Sequence, residues 1–181
     1  SATARVTCSG STDPVSSSSG VIVRSVSAST AAMSNFVVAS ASSLLLGHDE
    51  TLAVGGDLRT GLAAGQRALL AYRTYGTFST SNTIAARRVQ VPSTGDPVVE
   101  AVLSVASTTN LLDDVAVSPH CGTAGRWLVV AGQSVVAGST TMTRLFAQVV
   151  DGSGVLCGTP ETVVNNGAGD VRAPAVASRD G

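Results

Sequence analysis

The chain has 181 residues, of which 44% are hydrophobic and only 13% charged, enough length and apolar content for one domain with a real core. Its formal net charge is −1 and its pI is near 6.0, which argues against nucleic acid or an anionic membrane surface as partner. The longest apolar stretches, such as the serine-broken run from Asn35 to Gly47, are too short to span a bilayer, so no membrane insertion is expected.

Taken in order, the apolar segments recur. After Arg5 comes VTC, then GVIVRSV around Ile22, NFVVASAS from Asn35 and TLAVGG near Val54. After Arg67 comes ALLAY, then TIAARRVQV around Ile84, EAVLSVAS from Glu100 and DVAVSP near Val117. After Arg126 comes WLVVA, then RLFAQVVDGSG around Leu145, PETVVNNG from Pro160 and PAVASRDG near Val176. The three arginines lie 62 and 59 residues apart. Four short β-like runs per unit, parted by turn residues, predict a four-stranded meander. The reversals have suitable chemistry: PSTGDP at Pro92–Pro97 and DGSG at Asp151–Gly154 supply Pro, Gly and Asp. TGLAAGQRALLAYR has some helical propensity, but Gly61 and Gly65 weaken it, and its match to RWLVVA assigns a strand.

With A for the AVAVS-type run, B for WLVVA, C for FAQVV and D for TVV, the chain reads B-C-D, A-B-C-D, A-B-C-D, A. This is a single domain over residues 1–181, with units at about 5–66, 67–125 and 126–181. The path from Arg126 through the last residue and back to Arg5 is 60 residues, so the final A segment is expected to complete the first B-C-D group. WLVVA, FVVA and ALLAY are apolar at both parities, which predicts sheets buried on both faces. The expected fold is all-β: three antiparallel four-stranded repeats stacked as propeller blades, the termini completing one blade. A β-trefoil, which also closes with three four-stranded units, is the alternative. Three blades leave too wide a wedge to close. Two copies joined head to tail would supply six; otherwise the same offset gives a filament, or the remaining blades lie on another chain.

The segment GRWLVVAG … RLFAQVVDGSGVLCGTPETVV … APAVAS resembles the loosely defined repeats of secreted bacterial β-propeller proteins. There an LVVW-type strand precedes an AQxVDxxG strand and turn, and then PAVA. The match is good over the last 60 residues, fair in the middle unit and weak in the first. Ala131 and Tyr72 stand where such repeats carry Trp. The resemblance implies a propeller fold and an extracellular setting, and no single activity. A surface kept soluble by hydroxyls rather than charges fits the same setting, any leader having been removed before Ser1.

In a meander the A–B and C–D turns share one end and the B–C and D–A turns the other. Cys121 and Cys157 then fall at the same end of one unit, where a disulfide and two separate small buried thiols are both open readings. Cys8 aligns with Leu70 and Val129 as a core residue. The D–A linkers carry Asp49 and Glu50, Asp113 and Asp114, and Asp170, which would set carboxylates on one face. Ordinary solvated turns are the plain reading, and a cation, calcium at most, or a basic partner is the functional one. No Asp-x-Asp-x-Asp-Gly loop is present, and Arg172 interrupts the series. Tyr75 and Phe78, in the B–C loop of the middle unit, could stack on a sugar face at that same end, or simply pack on their own unit.

Catalytic signatures are missing. His48 and His120 fall at opposite ends of the expected strands. GQSVV at Gly132–Val136 lacks the closing Gly of a nucleophile elbow, and GSGVLCG at Gly152–Gly158 reads as a hairpin turn rather than a phosphate loop. The expected function is a non-enzymatic extracellular structural or adhesive scaffold that assembles with itself and needs no cofactor. A carbohydrate- or cation-binding propeller module is the alternative.

Overall fold

The computed structural model describes residues 7–12, 19–26, 33–39, 52–56, 66–75, 82–91, 98–120, 125–165 and 174–177. Among them every regular element is a strand, and all strand pairs are antiparallel. The first sheet is β1 (Thr7–Thr12), β2 (Ser19–Val26) and β3 (Met33–Ala39), paired in that order. The second runs β4 (Leu52–Gly56), β5 (Gln66–Tyr75) and β6 (Asn82–Val91), with β7 (Val98–Val99) and β8 (Leu103–Thr108) both on β6. These last two are successive stretches of one edge strand, since β7 opposes Val89–Gln90 and β8 opposes Asn82–Ala86. The third sheet is β9 (Leu111–Val117), β10 (Arg126–Ala137), β11 (Thr140–Asp151) and β12 (Leu156–Asn165), again in chain order.

The expected order B-C-D, A-B-C-D, A-B-C-D is therefore the order of the strands. Consecutive strands pair because short reversals return the chain alongside itself, and those reversals have local causes. Gly138 and Ser139 close the β10–β11 hairpin between Ala137 and Thr140; Gly138 takes φ +65°, a conformation that disfavours any side chain. Asp151 closes β11–β12: its Oδ1 accepts the Ser153 hydroxyl at 2.6 Å and the Ser153 and Val155 N–H groups at 2.9 Å each. That makes DGSG the turn its composition predicted. RALLAY, the segment with helical propensity, is strand β5. The last A-type segment, residues 174–177, is described without strand structure.

The core lies between the second and third sheets. Leu69 and Ala71 of β5, Ile84 and Ala86 of β6 and Val105 of β8 face Val115 and Val117 of β9, Trp127, Val129 and Ala131 of β10, and Phe146 and Val150 of β11. Burying Trp127 alone, fully enclosed, removes enough surface that truncation to Ala costs about 3–5 kcal/mol. Its indole N–H donates to the Gly55 carbonyl at 3.0 Å, and its ring meets the buried His120 ring at 4.1 Å between centroids.

The closest approach of the two sheets is at the end of β4. His120 N–H donates to the Gly56 carbonyl at 2.6 Å, and Gly55 lies so near Ser118 that a Cβ there would overlap the Ser118 carbonyl oxygen. Arginines fasten the same interface to backbone oxygens. Arg67 donates to the Gly152 carbonyl at 3.0 Å and Arg73 to the Leu112 carbonyl at 2.6 Å. Arg88 also donates to Gly152, while forming a two-pronged pair with Glu100 at 2.6 and 2.7 Å.

Burial on both faces holds for β5, where Ala68, Leu70 and Tyr72 opposite the core are enclosed as fully as Leu69 and Ala71. Enclosure pushes the Tyr72 phenol pKa up, with Arg87, its hydrogen-bond partner, opposing the shift. The third sheet departs from this pattern. Along β11, buried positions alternate with half-buried ones from Phe146 to Asp151, so only one of its faces is fully covered.

Candidate functional site

Asn82, Thr108, Asn110 and Gln133 meet at the end of the sheets that carries the β5–β6 and β8–β9 turns. Register sets this juxtaposition: Tyr75 at the end of β5 opposes Asn82 at the start of β6, which opposes Thr108 at the end of β8. Thr108 Oγ1 then accepts the Asn110 N–H at 3.1 Å, a hydroxyl-capped turn that reverses the chain within residues 109–110. The Asn82 amide, 6% exposed, donates to the Asn110 carbonyl at 2.8 Å, and the Gln133 amide donates to Thr108 Oγ1 at 3.1 Å. These donors hold the turn.

The tight turn changes the position of the acidic pair. Asp113 and Asp114, expected in a linker, lie inside strand β9. The linker is shorter than expected because Thr108–Asn110 supplies the reversal by itself, leaving Leu111 and Leu112 to begin the next strand. The pair sits on a β-bulge: Val115 opposes Ala131 and Leu112 opposes Gln133, so two aspartates face the single residue Gly132. Arg73, bound to the Leu112 carbonyl, fixes the backbone immediately before the bulge. Asp114 is half-buried there.

Of the remaining candidate residues, Tyr75 is placed at this end by its strand register, and Asp49, Glu50, Asp170 and Phe78 lie outside the described residues. Among the described residues no three His, Cys, Asp or Glu side chains come close enough to hold a metal ion. Cys157, paired with Val149 across β11–β12, carries a free, half-buried thiol; Cys121 and His48 lie outside the described residues, and Cys8 is described only by its pairing with Val23. His120 is fully buried, bridging the β9–β10 connection to β4. Gly132–Val136 is the middle of strand β10.

Three contributors were not anticipated: Asn82, Gln133 and the arginines that bind carbonyls. In a chain rich in Ser, Thr and Gly a lone amide has no distinguishing neighbours, and a backbone acceptor leaves no mark in sequence. Only the position of Arg67 and Arg126 ahead of matching apolar runs was a usable signal. No protein-family model, no curated protein and no solved structure matches the chain.

Proposed function

We propose that the chain is a non-enzymatic extracellular scaffold whose sheets serve as blades of a β-propeller shared between copies of the chain. The observation that carries this reading is the stacking of the second sheet on the third. Arg67 and Arg126 begin equivalent strands, so Leu69 and Ala71 correspond to Leu128 and Val130, and Ala68, Leu70 and Tyr72 to Trp127, Val129 and Ala131. The face with Leu69 and Ala71 packs on the face with Trp127, Val129 and Ala131. One kind of face meets the other kind, which is the head-to-tail stacking that propagates into a ring or a filament. Sequential four-stranded meanders stacked face to face favour a propeller over a trefoil. Three such sheets fall short of the usual four to eight blades, and two chains supply six.

The extracellular setting rests on the low charge and hydroxyl-rich composition, and the absence of enzymatic activity on the lack of any catalytic motif. Native mass by light scattering is the test: a stable assembly of two chains is expected, and a monomer at every concentration overturns the reading. A second reading, carbohydrate or cation binding, is favoured by the bulge that carries Asp113 and Asp114 at the Tyr75 end, since bulges recur beside binding sites. Thermal shift with calcium and with a glycan panel separates the two.

A further inference from the structure

We infer that the face of the third sheet opposite the core docks the β1–β3 sheet of a second copy of this chain, with Arg126 as the fastening residue. This rests on the scaffold reading above and names the surface it uses. By register Leu128 opposes Val149, Val130 opposes Ala147, and Val149 opposes Cys157, so these residues share one face. Leu128, Leu145, Ala147, Val149 and Cys157 are half-buried there. On the edge strand β12, Val163 lies at the bulge between Thr162 and Val164 and is 60% exposed. The centre of the face is apolar, with Arg126, Asp151 and Glu161 at its margin, and along β10 it corresponds, position for position, to the face of β5 that is already covered by a neighbouring sheet. The chemistry of its occupant is therefore set by a contact within the chain: a sheet presenting the other kind of face.

The register of the β1–β3 sheet fits that requirement. It puts Cys8, Val23 and Phe36 in one cross-strand row, with Val21 two positions along, and Cys8 is the position that matches Leu70 and Val129 in sequence. A second observation is independent of apolar character. Arg67, on the covered face, binds the Gly152 carbonyl in the β11–β12 turn of the sheet it packs against. Arg126 holds the equivalent place on the open face and is exposed, with no hydrogen bond among the described residues. The same residue at the same strand start has a carbonyl partner on the face covered by the neighbouring sheet and, among the described residues, none on the open face. Docking supplies Arg126 with a backbone carbonyl of the incoming sheet, as Gly152 supplies Arg67.

The test compares wild type, Arg126→Ala and Val149→Arg by sedimentation over a concentration series. The fluorescence of Trp127, the single tryptophan and buried on the opposite face, monitors the fold. The inference expects Arg126→Ala to weaken assembly by about tenfold, the scale of one charge-assisted hydrogen bond. It expects Val149→Arg to be monomeric with unchanged Trp127 emission. If Val149→Arg fails to fold, wild-type Cys157 alkylation, located by mass spectrometry, decides: it slows as protein concentration rises if this face is the interface. Wild type that assembles, with both variants assembling equally well, overturns the assignment of this face and leaves the scaffold reading standing. So does Cys157 alkylation independent of concentration. Wild type that never assembles overturns both.

Discussion

Gly55 is the position at which the account can be tested most sharply by a single methyl group. A Cβ at residue 55 would overlap the Ser118 carbonyl oxygen and lie 2.6 Å from Val117 Cγ1 and 3.0 Å from the Ser118 carbonyl carbon. Two of these three neighbours are backbone, so no rotamer change relieves the clash, and β4 must move off β9 by roughly 1 Å. Overpacking of this kind costs about 1–3 kcal/mol. The displacement also loads the Trp127–Gly55 and His120–Gly56 hydrogen bonds, at 3.0 and 2.6 Å, each worth about 0.5–1.5 kcal/mol. Gly55→Ala is thus expected to destabilise by about 3 kcal/mol, or roughly 6–12 °C in Tm for a chain of this size. Gly56 is the control next door: a Cβ there meets nothing within 4 Å, and Gly56→Ala is expected to stay within about 0.5 kcal/mol of wild type. Urea unfolding followed by Trp127 fluorescence measures both. Gly55→Ala as stable as Gly56→Ala would refute the close approach of β4 to β9 and with it the sheet stacking.

Three further outcomes follow from the same contacts. Trp127→Phe removes the donor to Gly55 and leaves a void beside His120, for an expected loss of about 2–3 kcal/mol by circular dichroism. Arg88→Met and Glu100→Gln, at 14% and 28% side-chain exposure, should show a coupling of about 1 kcal/mol in a double-mutant cycle; zero coupling would mean the pair is solvent-screened. Asp151 has its carboxyl held below the usual value of 3.8, first by the Ser153 hydroxyl and then by the Val155 N–H. A depressed folded pKa gives a contribution complete above the unfolded value and lost as pH falls below it. Asp151→Asn should therefore be less stable than wild type at pH 6, with the difference shrinking below about pH 4; a gap as large at pH 2 as at pH 6 contradicts this.

Strand existence and order were legible because each apolar run is bounded by residues with a turn chemistry of their own. DGSG was read correctly for that reason, and RALLAY was assigned by its match to RWLVVA against its own helical propensity. The acidic pair was misplaced because Asp-Asp looks like a turn, whereas the reversal is made earlier by the Thr108 hydroxyl on the Asn110 N–H. Two-sided burial was read from runs that are apolar at both parities, a local pattern that cannot tell a strand covered on both faces from one covered on a single face; β5 is the first kind and β11 the second. The carbonyl-binding arginines and Gly55 depend on which sheet lies opposite, a long-range fact that no local pattern encodes.

The native mass of the wild-type protein tests the central claim most directly. Light scattering across a concentration series is expected to give a stable species of twice the 18.0 kDa chain mass. A series of growing masses would keep the head-to-tail stacking and contradict closure at six sheets, and a species of one chain's mass at every concentration would contradict the account itself.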